Sequence, residues 1–390
     1  MITTPPLSPG ATLALVCAVY AAAGTTLAAV GPSLPSLATN VGEDVATVGA
    51  QFTAFAGGTV LVQAVTAWAG ERLGQRAVLG AGAALLGLGA LAESLSPSLL
   101  LLLLGALLGG LGFGCVLSGG NVLVARLFAA RGTSALNFVN LFFGVGSIVG
   151  PLLAGVGLAW RGAPELAMMI GGAFLLALAP AVFLAAEPQG GAGRGRDAPP
   201  TPWGLVLLLG LLLLVYSGTE IAVGGWAALF LERGAGMAPA AAALAVSGFW
   251  LALTLGRGLG ALVGFRVSAA GLLLAALGLL LVAALMLLAS LGSPAGAVAA
   301  LCLFGLACGP IFPTTLALVT RVTGGRGAAT SMVLAVANLG GASIPPLLGL
   351  LLTGVGPRAG ATFVLGGVVL MLVLLGAVTS GGRRRAAARA

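Results

Sequence analysis

The chain has 390 residues, of which 59% are hydrophobic and only 7% charged, and its mean hydropathy is +1.16. That composition excludes a soluble globular domain and marks a polytopic membrane protein. The positive charge behind the net +8 is arginine alone, set in short loops and a tail, which argues against a nucleic-acid-binding face. The apolar runs have the length of helices and lack the period-two alternation of a transmembrane barrel. The 65 glycines are interleaved with Leu, Val and Ala, a pattern that suits close helix packing in lipid rather than disorder.

In chain order, about twelve segments are long enough to span a bilayer. The first six lie near 11–36, 46–70, 77–95, 98–125, 134–159 and 164–186, and the second six near 203–231, 238–263, 268–291, 295–320, 327–354 and 359–379. Before the first segment there is no basic region and no clear cleavage site, so it is expected to be a retained helix. Between the halves, EPQGGAGRGRDAPPTP from Glu187 to Pro202 is expected to be a flexible cytoplasmic linker. The predicted organisation is therefore an all-α membrane protein: a six-helix bundle over 1–186, a linker over 187–202, and a second bundle with a basic tail over 203–390. Cys17, Cys115, Cys302 and Cys308 all fall in apolar segments, at no disulfide-like or metal-like spacing, and are expected to be buried thiols.

With the N-terminus inside, fourteen of the seventeen arginines fall on the cytoplasmic side, and only Arg161, Arg233 and Arg358 outside. The positive-inside bias thus agrees with twelve spans and with both termini cytoplasmic in the cell membrane. The run Arg383-Arg384-Arg385 suits an anchor at an anionic leaflet. Trp68, Trp160 and Trp203 fall near segment ends, where an interfacial belt is the default.

The seventh segment carries the chemistry. In LLLLVYSGTEIAVGGWAALFLE, from Leu211 to Glu232, Glu220 is the one acid expected deep within a span. Keeping a charge there costs about 2.5–3.5 kcal/mol on insertion scales, so helix-centre acids usually mark solute or ion pathways. Tyr216 and Ser217 precede it by four and three residues and Gly224 follows by four, which places all of them on one helix face. Further polar candidates for a binding site are Asn121 with Ser118 in segment 4, Asn137 and Asn140 in segment 5, Asn338 in segment 11 and Gln51 in segment 2. Trp226 and Trp250 sit deeper than the other tryptophans and could offer an aromatic face. Amides and hydroxyls that both donate and accept suit a neutral polyol, and an aromatic surface suits the apolar face of a sugar ring. By these boundaries Arg126 and Arg257 lie near cytoplasmic ends, and no arginine is placed mid-span, which speaks against an anionic solute. The prolines Pro310, Pro313, Pro345 and Pro346 are expected to bend segments 10 and 11. Each of these residues also has a plain packing alternative. No nucleophile elbow, phosphate loop or metal-ligand cluster occurs, so neither an enzyme nor a cofactor is expected.

Two internal echoes tie the halves together. GERLGQRAVLG at Gly70–Gly80 matches GRGLGALVGFR at Gly256–Arg266, and GSIVGPLL at Gly146–Leu153 matches GASIPPLL at Gly341–Leu348. Repeats six spans apart imply two parallel bundles that rock about a midplane site. In its loop Glu71-Arg72-Leu73-Gly74-Gln75-Arg76 the chain resembles the major facilitator superfamily, although Glu stands for the usual Asp, Gln75 for a basic residue and Ala67 for a leading Gly. The resemblance implies that Glu71, Arg72 and Arg76 form a cytoplasmic gate. Ser134–Gly155, Tyr216–Trp226 and Gly309–Pro346 are similar to helices five, seven, and ten to eleven of the fucose–proton symporter and sodium-dependent glucose transporter-like group. The chain departs from that group in having Tyr20, Thr25 and Thr26 but no acid in segment 1, Asn121 instead of an acid in segment 4, and Asn140 instead of His in segment 5. The resemblance implies a secondary transporter in membrane lipid; the residues point to a small neutral solute, foremost a monosaccharide, and to proton symport through Glu220, with sodium coupling or uniport open, and a monomer is expected because nothing demands a dimer. The alternatives are an efflux antiporter for drugs or metabolites and a lipid-moving protein on the same scaffold.

Overall fold

The computed structural model describes residues 7–128, 132–187, 202–264, 266–323 and 327–387. Among them every regular element is a helix: α1 (Pro9–Val41), α2 (Val45–Val48), α3 (Gln51–Arg72), α4 (Gln75–Ser94), α5 (Leu99–Leu127), α6 (Gly132–Arg161), α7 (Leu166–Val182), α8 (Trp203–Ala235), α9 (Pro239–Val263), α10 (Ala269–Ala289), α11 (Pro294–Cys308), α12 (Ile311–Thr323), α13 (Gly327–Gly354) and α14 (Pro357–Ala387). Eleven stretches are long and apolar enough to cross a bilayer, and Leu166–Val182 is a shorter apolar helix. These stretches follow the predicted segments closely. Hydropathy decides existence and place, because in lipid the backbone must bond within its own helix. Residues Arg131, Arg194, Arg196, Arg326 and Arg389 lie outside the described residues, as does the linker after Glu187.

The ends are set by local chemistry. Ser8, Asp44, Ser268 and Ser293 cap helices α1, α2, α10 and α11 by accepting from backbone N–H groups. Gly42 and Gly236 close α1 and α8 in the left-handed conformation that only glycine enters freely. Segment 2 is divided at Gly49-Ala50, and segment 10 at Gly309-Pro310. Pro310 ends α11, as the sequence suggests, whereas Pro345 and Pro346 are accommodated inside an unbroken α13.

The chain divides into two compact units. One holds α1–α7 together with Pro239–Ser247; the other holds α8, the remainder of α9 and α10–α14. In the first, α5 packs on α3 and α4, while α1 packs on α6 and α7. Val16, Tyr20, Leu79, Leu86, Leu123 and Leu175 fill its centre. In the second, α8 packs on α13 and α14, and α10 on α11 and α14.

Glycine decides how closely these helices approach. A Cβ at Gly110 would strike the Phe55 carbonyl, and one at Gly112 the Leu86 backbone. Gly146 of α6 lies against the Ala21 carbonyl of α1, and Gly340 of α13 against the Leu214 carbonyl of α8. Small residues let backbones touch where lipid offers no hydrophobic driving force. Gly340→Val is therefore expected to destabilise the second unit by about 1–3 kcal/mol through overpacking. Gly278→Ala, which has open space at its Cβ, is expected to leave stability unchanged or slightly raised; melting curves of the purified protein in detergent compare the two.

Candidate functional site

Glu220 lies midway along the 33-residue helix α8, with its side chain 14% exposed. Its charge is answered from α9: Arg257 Nη2 stands 3.6 Å from Glu220 Oε1. The sequence reading placed Arg257 at a cytoplasmic helix end, remote from any site. The structure corrects this: Arg257 is six residues inside the end of α9 and its long side chain reaches the acid.

One turn before Glu220, Tyr216 is fully buried, and its hydroxyl donates to the Cys308 carbonyl at 2.9 Å. Cys308 is the last residue of α11, where the break at Gly309-Pro310 leaves carbonyls without helical partners. Tyr216 supplies the missing donor and ties α8 to α11 beside the acid. Its hydroxyl is thus bonded to the protein one turn from Glu220. One turn after Glu220, Gly224 receives the ring of Trp250: a Cβ there would stand 3.0 Å from Trp250 Cζ2. Trp250 meets Phe249 edge-on at 5.1 Å, and its indole N–H is buried with no acceptor. Glu220, Gly224, Trp250 and Arg257 therefore gather where α8 faces α9.

Trp226 is not among them. It is 1% exposed, its Nε1 donates to the Pro345 carbonyl at 2.8 Å, and its ring packs on Gly349. Six residues from Glu220, it points about 240° around the helix from it. Trp226 holds α8 to α13, and its expected part in binding is replaced by packing. Asn338, on α13, is half-buried.

In the first unit, Tyr20 donates to Asn121 Oδ1 at 3.2 Å. Asn137 and Asn140 are exposed on α6, and Asn140 donates back to the Leu136 carbonyl at 2.9 Å. Thr25 and Thr26 bond to carbonyls one turn back. Gln51 is 1% exposed at the start of α3, with neither amide atom paired. A second buried carboxylate, Glu93, is 5% exposed next to Gly105 and Gly109. Its place at the end of a predicted segment concealed it.

The loop motif is engaged only in part. Arg72 stacks over Trp68 with its guanidinium carbon 4.9 Å from the ring centre, and Glu71 is exposed. Arg76 Nε stands 3.6 Å from Glu187 Oε2, and the Gln75 N–H donates to Glu187 Oε1. Gly74, at φ +89°, opens α4 so that this N-terminus faces the carboxylate. Among the described residues the two ion pairs are Arg76–Glu187 and Arg257–Glu220. Glu187, expected in a flexible linker, is thus seated on α4 of its own unit.

A family model described as the Major Facilitator Superfamily matches residues 16–324. The chain belongs to the major facilitator superfamily. An uncharacterized MFS-type transporter of Yersinia pestis is 30% identical over 242 residues, a match covering 60% of this chain and 61% of that relative. Among solved structures, the nucleoside transporter NupG superposes with a TM-score of 0.78 at 13% identity, over 96% of this chain and 99% of that one. A bacterial homolog of the human lysosomal transporter Spinster, inward-facing and occupied, gives 0.75 at 14% over 96% and 97%. The Escherichia coli fucose:proton symporter FucP gives 0.65 at 18% over 95% and 99%. At these identities the likeness establishes the major facilitator fold, which the sequence motifs also indicated.

Two substitutions test the structural assignments. Trp226→Phe removes a buried donor and is expected to cost about 1 kcal/mol of stability while leaving solute affinity unchanged. Glu187→Gln removes the anion at the α4 N-terminus and is expected to cost about 0.3–1 kcal/mol, by the same melting curves.

Proposed function

We propose that this superfamily member is a secondary active transporter that moves a small polar solute of the monosaccharide class by alternating access, with Glu220 as the group that takes up and releases the coupling proton. The observation that carries this reading is the Glu220–Arg257 pair, halfway along an apolar helix. A charge retained at that depth calls for a partner and for a use. The pair stands next to partly accessible surface, with the Arg257 side chain 39% exposed. Protonating Glu220 would dissolve the pair, and deprotonating it would restore it, so the pair has two charge states that solute binding can bias.

We further propose two bundles with a boundary near 187–202, both termini cytoplasmic in the cell membrane, a monomeric unit, and a gating part for Arg76 with Glu71 and Arg72 at the cytoplasmic end. A proton is preferred to sodium because a single carboxylate with an arginine beside it leaves a metal cation no favourable seat. Asn338 lies on α13 of the unit that carries Glu220, and an amide that both donates and accepts suits a hydroxyl-rich solute. The second support for a neutral solute, the lack of an arginine near the site, falls with the placement of Arg257.

The test uses the full chain in proteoliposomes. Gradient-driven uptake of a labelled solute is expected to be lost in Glu220→Gln, while counterflow without a proton gradient survives. Uptake that still follows the proton gradient in that variant would remove Glu220 from coupling.

A further inference from the structure

The α8–α9 face has an excess of donors, and its arrangement bears on the charge of the solute. Arg257 makes an ion pair with Glu220 through one nitrogen only, at 3.6 Å, and among the described residues it makes no hydrogen bond. The other N–H groups of its guanidinium fork remain open, and the side chain is 39% exposed, within reach of a solute. Seven residues earlier, and so on the same face of α9 about 10 Å along its axis, the buried indole N–H of Trp250 has no acceptor. The titratable groups around Glu220 are Tyr216 on its own helix, Arg257 from α9 and Cys308 from α11. Tyr216 spends its proton on the Cys308 carbonyl. Glu220 is the carboxylate paired with Arg257 on this face.

Charge conservation then selects the ligand. In the empty site the carboxylate and guanidinium cancel. If a neutral solute enters with a proton, Glu220 becomes neutral and Arg257 loses its counter-charge. If the solute carries a carboxylate, Arg257 exchanges one carboxylate for another and the site stays neutral in both states. The step is a proton added to the Glu220 carboxylate and a solute carboxylate seated on the guanidinium it vacates, with no net charge moved. Resting on the transport reading above, we infer that the solute is a polyhydroxy acid, an aldonate or hexuronate, held by Arg257 at its carboxylate and by the Trp250 N–H at a distal oxygen.

Thermal shift and tryptophan fluorescence of the purified full chain test this with D-glucuronate, D-gluconate and glucose. The two acids are expected to stabilise the protein and glucose is not. Their affinity should fall as pH rises, because binding takes up a proton. Arg257→Gln should weaken the acids at least about tenfold, and Arg257→Lys, which keeps the charge but loses the fork, severalfold. Glu220→Gln should retain the acids and lose the pH dependence, and Trp250→Phe should weaken them severalfold. Melting of each variant without solute separates a folding defect from lost binding. Equal stabilisation by glucose, no stabilisation by either acid, or acid binding undiminished in Arg257→Gln would overturn the inference. Glucose counterflow in proteoliposomes that depends on Glu220 but not on Arg257 would overturn it while leaving the transport reading intact.

Discussion

A carboxylate in the middle of a 33-residue apolar helix persists only if something close by meets its charge, and in this protein that group is Arg257. Much of the second unit is arranged about the pair. The interruption at Gly309-Pro310 frees the Cys308 carbonyl, Tyr216 bonds to it, and α11 is thereby pinned one turn from Glu220. Gly224 admits Trp250 one turn to the other side. Each of these contacts holds α8 and its neighbours at a separation a guanidinium can bridge. The ion pair thus depends on the packing, and the packing leaves the pair partly accessible.

The same economy of small residues builds both units. Where lipid surrounds the helices, burying apolar surface against another helix gains little over burying it against acyl chains, so backbone approach and van der Waals contact decide which helices pair. Gly146 of α6 against Ala21 and Gly340 of α13 against Leu214 are the same kind of close approach, one in each unit.

The cytoplasmic motif illustrates a different division. Its acidic and basic residues announced an electrostatic device, but the partner that Arg76 and the Gln75 N–H meet is Glu187, more than a hundred residues on, at the exit of α7. A helix N-terminus attracts any carboxylate that the fold delivers to it. Which carboxylate arrives is a matter of where the seventh helix ends, and no local pattern around Glu71 to Arg76 contains that information.

By itself the sequence determined the apolar helices and their order, because lipid obliges each apolar run to satisfy its own backbone. It also singled out Glu220, since a lone charge in an apolar run is conspicuous in one dimension. Tertiary structure decided what that charge faces. Arg257, Tyr216 with the Cys308 carbonyl, and Trp250 over Gly224 come from separate helices. Trp226 and Trp250 look alike along the chain, yet one is sealed by Pro345 and Gly349 while the other keeps an open donor. The reason is rotational: a helix turns 100° per residue, so a few positions decide whether a side chain faces a packed neighbour or a reactive one, and the packing partners that set this rotation lie far away in sequence.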